Sequence, residues 1–110
     1  IDYYTAAAEY LREKVGSCPY FIFTDDANWC EENLGFLGDD VSIVKGCSAA
    51  EDLILMSLCS HNIIANSSFS WWGAWLNANV NKTVIAPSRW FGSQISKDVS
   101  DVYCKKWKII

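Results

Sequence analysis

A cluster of serines in the middle of the chain has the composition of an anion-binding site. Asn66 is followed by three serines, Ser67, Ser68 and Ser70, with Phe69 among them, where a predicted strand passes into a helix. The first N–H groups of a helix lack intrahelical acceptors and lie at the positive end of its dipole, so phosphate binds there readily. One serine is enough to cap a helix. The additional hydroxyls favour a diphosphate site, and a serine cap without a ligand is the alternative.

A second polar group follows an earlier strand. Thr24, Asp25 and Asp26 end the aromatic and β-branched run over residues 20–24. Paired carboxylates at a strand end can bind Mg²⁺, accept a phosphoryl group or cap the next helix, and a cap accounts for one of the two. A phosphorelay receiver domain also carries an acidic pair here. It would need an Asp after a later strand and a Lys after the last strand, and this chain has neither.

The elements that position these groups alternate between helix and strand. Apolar residues from Tyr4 to Val15 repeat at three and four positions, which predicts a helix ending at Gly16. Ser48 and Glu51 form a capping box before the apolar run 53–59, which predicts a largely buried helix. The other predicted elements are strands over 20–24, 41–44, 62–66 and 83–87, helices over 27–34 and 68–79, and an irregular segment from Trp90 to the end.

This order predicts an α/β fold. Strands separated by helices of this length run parallel with right-handed crossovers, which gives a Rossmann-like open parallel sheet with helices on both faces. The strand over residues 20–24 is expected to be buried on both faces. Ligands of such sheets bind beyond the carboxyl ends of the strands, where both polar groups lie. At 110 residues, the chain has the length of a single domain, residues 1–110.

Composition excludes several classes of protein. Hydrophobic residues make up 51% of the chain, which is typical of a globular protein. The net charge of −4 has the wrong sign for a protein that neutralises nucleic-acid phosphates. No apolar run has the length of a membrane span. The five cysteines are widely spaced and His61 is the only histidine, which argues against zinc and against a disulfide scaffold and predicts buried free thiols.

Several motifs in order resemble glycosyltransferase family 11, and the similarity runs through essentially the whole chain. The motifs are FIFTDD at 21–26, WC at 29–30, an acidic residue at 52, MSLCSH at 56–61, NSSFSWWGAWL at 66–76, Pro87, and WF at 90–91. The chain is similar to the carboxyl-terminal, donor-binding part of a microbial α-1,2-fucosyltransferase. The resemblance therefore implies the second lobe of a GT-B fold.

The resemblance also implies a reaction and a set of donor-binding residues. Family members transfer L-fucose from GDP-β-L-fucose to the 2-hydroxyl of a galactoside, with inversion and without a metal or other cofactor. Asp52 is expected to meet the guanine edge, although a carboxylate in a first helical turn also complements the helix dipole. The hydroxyls and amides of Ser67, Ser68 and Phe69 are expected at the diphosphate after Asn66. Thr24, Asp25 and Asp26 are expected beside the nucleoside.

One family motif is missing from this sequence. The family's H-x-R-R-x-D motif supplies an arginine to the leaving diphosphate, and no match occurs here. We expect it, the catalytic residues and the acceptor lobe to lie upstream of Ile1, so that this fragment is inactive alone. His61 is expected at the amino end of its strand in a structural role. A non-catalytic nucleotide-binding or interaction module is the alternative function.

The sequence also bears on location. The sequon at Asn66 falls inside the proposed phosphate site, where a glycan would block function, and a second sequon begins at Asn81. This favours a cytoplasmic microbial enzyme with peripheral membrane association through the rest of the protein, or a Golgi membrane enzyme if the source is eukaryotic. The expected partners are a nucleotide sugar and a galactoside acceptor.

Overall fold

The computed structural model describes residues 2–38, 40–88 and 106–110. The irregular segment predicted from Trp90 lies outside these residues except at its end. The elements are α1 Asp2–Val15, β1 Tyr20–Ile22, α2 Ala27–Asn33, a 3-10 turn Gly35–Leu37, β2 Val41–Ile43, α3 Ala49–Leu58, β3 Asn62–Ile63, α4 Ser68–Trp75, β4 Val84–Ala86 and β5 Lys108–Ile109.

The α/β class and the parallel strands are confirmed. β1 pairs with β2 in parallel, and β4 pairs in parallel with both β3 and β5. Within the described ranges these strands form a two-stranded and a three-stranded sheet. The chain divides into two compact units, Ile1–Asp52 and Leu53–Ile110, and each is described by itself. The single domain over residues 1–110 stays a prediction.

In the first unit, α1 has the predicted amphipathic pattern. Ala7, Ala8 and Leu11 are buried on one face. The helix ends as predicted at Gly16, which has a φ of +80° and donates its N–H to the carbonyl of Arg12 at 2.9 Å. Glycine adopts this left-handed conformation without the steric penalty of a Cβ atom. The stop signal of α1 is therefore local and readable from the sequence.

The expected burial of β1 on both faces was wrong. The side chain of Phe21 is 55% exposed, whereas Tyr20 and Ile22 are partly covered. Alternate residues of a strand point to opposite faces, so one face of β1 is open. A continuous apolar run shows that a strand is apolar, but it does not show how many faces its neighbours cover.

The core of the second unit surrounds β4. Val84, Ile85 and Ala86 are all buried. Trp107 lies in the same core cluster, beside β5. The prediction of an irregular segment at this end of the chain was wrong for Lys108–Ile109. A two-residue strand has no periodicity to detect, and its formation depends on hydrogen bonds to a distant segment.

The predicted burial of α3 was also wrong in large part. Met56 is buried, but Leu58 is 74% exposed, and Ile54 and Leu55 are exposed as well. The apolar run predicted burial all round, yet Met56 is the only residue of this helix that the described part of the chain buries. No helix in the described residues is both long and apolar enough to span a membrane.

Helix α4 ends four residues earlier than predicted, at Trp75. The Nζ atom of Lys82 donates to the carbonyls of Ala74 and Asn77, at 3.0 and 2.7 Å. A cation at a helix C-terminus is favourable because it satisfies carbonyls that have no intrahelical partner. This contact comes from eight residues further along the chain, so the apolar pattern alone did not reveal the helix end.

Candidate functional site

The β3–α4 turn, defined as residues 65–70, brings four predicted site residues into one short segment. Ser67 is the N-cap of α4, with an extended backbone, and its Oγ accepts the N–H of Ser70 at 3.2 Å. Ser67 is therefore the serine of this cluster that caps the helix. Asn66, Ser68 and Phe69 are exposed beside it.

Ser68 and Phe69 open the first turn of α4, so their backbone N–H groups have no intrahelical acceptor. The Ser68 hydroxyl has no hydrogen-bond partner among the described residues. The same holds for the side-chain amide of Asn66. The carboxyl end of β3 therefore displays N–H and O–H donors at the positive end of a helix, which is the chemistry that binds an oxyanion.

The tryptophans of α4 divide between core and surface. Trp71 packs against the core cluster, stacks on Trp75 with 6.2 Å between ring centroids, and lies 5.9 Å from Trp107. Trp72 and Trp75 are about half exposed. Trp71 and Trp107 therefore belong to the core of the second unit. The exposed indole rings of Trp72 and Trp75 form an apolar surface one to two helical turns beyond the amide donors of Ser68 and Phe69.

The acidic pair after β1 has one structural member. The Oδ1 atom of Asp26 accepts the N–H of Trp29 at 3.1 Å, so Asp26 is the N-cap of α2. Thr24 supports this turn, because its Oγ1 accepts the N–H of Asp26 at 2.9 Å. Asp25 is exposed, and its carboxylate has no hydrogen-bond partner among the described residues. The cap alternative is therefore confirmed for Asp26, and Asp25 is the carboxylate left for another role.

Asp52 lies in the first turn of α3, which begins with the predicted capping box. The N–H of Ser48 donates to Glu51 at 2.9 Å, and the N–H of Glu51 donates back to the Ser48 hydroxyl at 3.2 Å. These bonds lower the pKa of Glu51 below its ordinary value of 4.5. The Oδ1 atom of Asp52 is buried and has no hydrogen-bond partner in the described part of the chain. A buried carboxylate oxygen without a donor is costly.

His61 has the predicted structural role at the start of β3. Its Nδ1 atom accepts the N–H of Thr83 at 2.9 Å, which ties the entry of β3 to the entry of β4. Two asparagines that were not predicted as functional residues add side-chain hydrogen bonds at this end of the sheet. Asn77 donates to the side-chain oxygen of Asn62 at 2.8 Å and to the carbonyl of Cys59 at 2.6 Å. Asparagine is common in turns, so its type carried no distinctive signal.

Comparison with known proteins decides the family. Residues 1–110 match the sequence profile described as Glycosyl transferase family 11. The chain belongs to this family. It is 41% identical over 92 residues to an "Alpha-1,2-colitosyltransferase" of Escherichia coli, a match that covers 81% of this chain and 32% of that protein. It is also 41% identical over 106 residues to the "O-antigen biosynthesis glycosyltransferase WbnK" of the same species, covering 92% and 34%.

A mammalian relative is more distant. The "Galactoside alpha-(1,2)-fucosyltransferase 2" of Mus musculus is 31% identical over 77 residues, covering 67% of this chain and 22% of that protein. The chain thus spans about a third of the length of the two bacterial glycosyltransferase family 11 relatives. No solved structure matches it.

The predicted donor-binding residues of this family 11 chain fall into two sets. Thr24, Asp25, Asp26 and Asp52 belong to the first compact unit, and Asn66, Ser67, Ser68 and Phe69 belong to the second. The structure brings the second set together in the β3–α4 turn. Ser70 was counted among the serines of this cluster but was not predicted as a donor-binding residue, and it belongs with that set. Its spacing of three from the N-cap serine matches that of a capping box and was the available signal.

Proposed function

We propose that the protein is the donor-binding part of an α-1,2-fucosyltransferase, which moves L-fucose from GDP-β-L-fucose to the 2-hydroxyl of a galactoside with inversion. The single observation that carries this proposal is the β3–α4 turn, which displays unpaired donors at a helix N-terminus in a chain of glycosyltransferase family 11. A Rossmann-like lobe of a GT-B enzyme is the fold proposed for the complete domain.

In this reaction, negative charge grows on the β-phosphate as the bond to fucose lengthens. Groups already aimed at that charge lower the barrier, because they need not reorient during the reaction. The amides of Ser68 and Phe69 and the Ser68 hydroxyl are such groups. The dipole of α4 contributes about 0.3–2 kcal/mol. Each hydrogen bond to a charged phosphate is worth about 1.5–3 kcal/mol.

For the first unit, we propose that Asp52 recognises guanine. Guanine presents two adjacent donors, N1–H and the 2-amino group, and one carboxylate can accept from both. The unpartnered Oδ1 atom of Asp52 supports this role, since a buried carboxylate oxygen calls for a donor. Thr24 and Asp25 are proposed to contact the nucleoside, and Asp26 to hold their turn as the cap of α2.

A second donor sugar is supported by a specific observation. One relative at 41% identity is named a colitosyltransferase, and it matches this chain as closely as the other bacterial relative does. Transfer of colitose is therefore the second candidate function. The proposed roles of the amides and of Asp52 are the same for both candidates, because these groups contact the nucleotide rather than the sugar.

The test is a transfer assay with the full-length protein. GDP-fucose is supplied with a galactoside, with a matched 2-deoxygalactoside, or with no acceptor, and both released GDP and the glycan product are measured. We expect a 2-linked fucoside only with the first acceptor, with the anomeric configuration inverted. Equal turnover of the 2-deoxygalactoside would refute the proposed linkage. Faster transfer from a matched colitose donor would replace the first candidate with the second, and GDP binding without transfer from either donor would refute both.

A further inference from the structure

Ser70 is a buried hydroxyl at the centre of the β3–α4 turn. Only 8% of its surface is exposed. Its Oγ lies 2.9 Å from the carbonyl oxygen of Ala65, just beyond the end of β3, and 3.1 Å from the carbonyl oxygen of Ser67. It also lies 2.7 Å from the Oγ of Ser67. One side chain therefore connects the segment that follows β3 to the first turn of the helix.

The protons of these two hydroxyls can be assigned from the geometry. A carbonyl oxygen only accepts hydrogen bonds, so the single proton of Ser70 is directed to the carbonyls of Ala65 and Ser67. The 2.7 Å contact between the two hydroxyls then uses the proton of Ser67. The Ser67 oxygen also accepts the N–H of Ser70. The Ser67 hydroxyl is thus committed within the turn.

This assignment decides which groups are available to a phosphate. Phosphate oxygens accept hydrogen bonds, so a ligating hydroxyl has to donate its proton to them. The Ser67 proton is already used, whereas the Ser68 hydroxyl is exposed and has no partner among the described residues. The amides of Ser68 and Phe69 point out of the same helical end.

We infer that Ser70 is a positioning residue that holds the β3–α4 turn so that Ser68 and Phe69 donate to the diphosphate, and that the Ser67 hydroxyl is not a phosphate ligand. This inference rests on the proposed function. Without the Ser70 hydroxyl, the carbonyl of Ala65 loses its contact with the helix, and the proton of Ser67 loses its acceptor. The backbone N–H groups of Ser68 and Phe69 are then no longer held in the orientation that directs both of them at the diphosphate.

The test compares nucleotide binding with folding in the full-length protein. The variants are Ser67→Ala, Ser68→Ala, Ser70→Ala and Ser70→Thr, with Asn77→Ala as the matched control. Asn77 is also a buried donor to carbonyls of the second unit, but it lies at the other end of α4. Dissociation constants for GDP and for guanosine are measured by titration calorimetry, and thermal midpoints by circular dichroism.

The expected results separate positioning from general stability. Ser68→Ala weakens GDP about 10-fold or more with little change in thermal midpoint, which corresponds to one lost charge-assisted hydrogen bond. Ser70→Ala lowers the midpoint and weakens GDP about 10-fold, but leaves guanosine affinity unchanged, and Ser70→Thr restores part of the GDP affinity. Ser67→Ala weakens GDP less than about 3-fold. Asn77→Ala lowers the midpoint without changing the preference for GDP over guanosine.

Two results would overturn the inference alone. The first is that Ser70→Ala keeps the wild-type preference for GDP over guanosine while Ser68→Ala loses it. The second is that Ser67→Ala costs as much GDP affinity as Ser68→Ala, which would make the Ser67 hydroxyl a ligand. A full-length protein that does not bind GDP at all would instead refute the proposed function, and the inference with it.

Discussion

Replacing Gly73 with alanine tests the packing that supports the site helix. Gly73 lies in the middle of α4 and is buried against Met56. A Cβ atom at this position would lie 2.9 Å from the Cε, 3.0 Å from the Cβ and 3.3 Å from the Sδ of Met56. Carbon atoms in favourable contact are about 3.5–4.0 Å apart. The methionine side chain can rotate its end away, but its Cβ is fixed to the backbone of α3.

The expected magnitude combines two opposing effects. Overpacking a buried site costs about 1–3 kcal/mol in the free energy of unfolding. Alanine is favoured over glycine inside a helix by about 1 kcal/mol. We therefore expect Gly73→Ala to destabilise the protein by about 1 kcal/mol, measured by urea unfolding of the full-length protein.

The matched control is Gly35→Ala. A Cβ atom at Gly35 would meet no atom within 4 Å, and its φ lies outside the left-handed region. Alanine at such a site stabilises by about 0.4–1 kcal/mol through the unfolded state. Met56→Ala removes two of the three close contacts, so alanine at Gly73 is expected to cost less in that background, with a coupling of about 1 kcal/mol. Equal effects of the two glycine substitutions would refute this explanation of Gly73.

Three further predictions concern single side chains. Asp52→Ala in the full-length protein should weaken GDP binding about 10- to 100-fold, or about 1.5–3 kcal/mol, and reduce the protein's preference for GDP over ADP. Equal losses of affinity for both nucleotides would show that Asp52 does not recognise guanine and only complements the helix dipole. The lowered pKa of Glu51 means that its capping bonds stabilise the fold above the unfolded pKa and are lost as pH falls through the folded pKa. Glu51→Gln should therefore flatten the acid side of a pH–stability curve from urea unfolding, and an unchanged curve would contradict this. Burial raises the pKa of Cys59, and its thiol donates to the carbonyl of Leu55 at 3.4 Å. Because the thiolate is the reactive form, alkylation of Cys59 at neutral pH should be slower than alkylation of a peptide thiol. An equal rate would contradict the burial of this thiol.

Local chemistry made several elements predictable from the sequence. The capping box of Ser48 and Glu51 uses side chains three residues apart, and both of its hydrogen bonds form as expected. The cap by Asp26 and the glycine stop after α1 are equally local. The alternation of helix and strand indicated parallel pairing, because parallel strands need long connections.

The errors arose where distant segments decide the outcome. The end of α4 depends on Lys82, and β5 exists through its pairing with β4. An apolar run predicted that α3 is buried, but Leu58 is exposed. Whether an apolar side chain is buried depends on the segments that pack against it, and the run itself does not encode those segments.

The residues of the β3–α4 turn could be predicted to lie together because they are adjacent in the chain. Asn66 to Phe69 form one segment, so the position of the donors followed from the strand–helix boundary. The distinct roles of the serines did not follow, because identical hydroxyls differ only in what surrounds them. Ser70 was predicted only as one of three similar serines, although it is the one of the three that is buried. The cytoplasmic location and membrane association stay predictions.

The most direct test of the central claim is a nuclear magnetic resonance titration of the ¹⁵N-labelled full-length protein with GDP, compared with guanosine. It observes the backbone amides of Ser68 and Phe69 themselves, without a substitution. If these amides donate to the diphosphate, both signals will move on addition of GDP and will stay in place with guanosine. Amide signals that remain unmoved at saturating GDP would show that the diphosphate binds elsewhere.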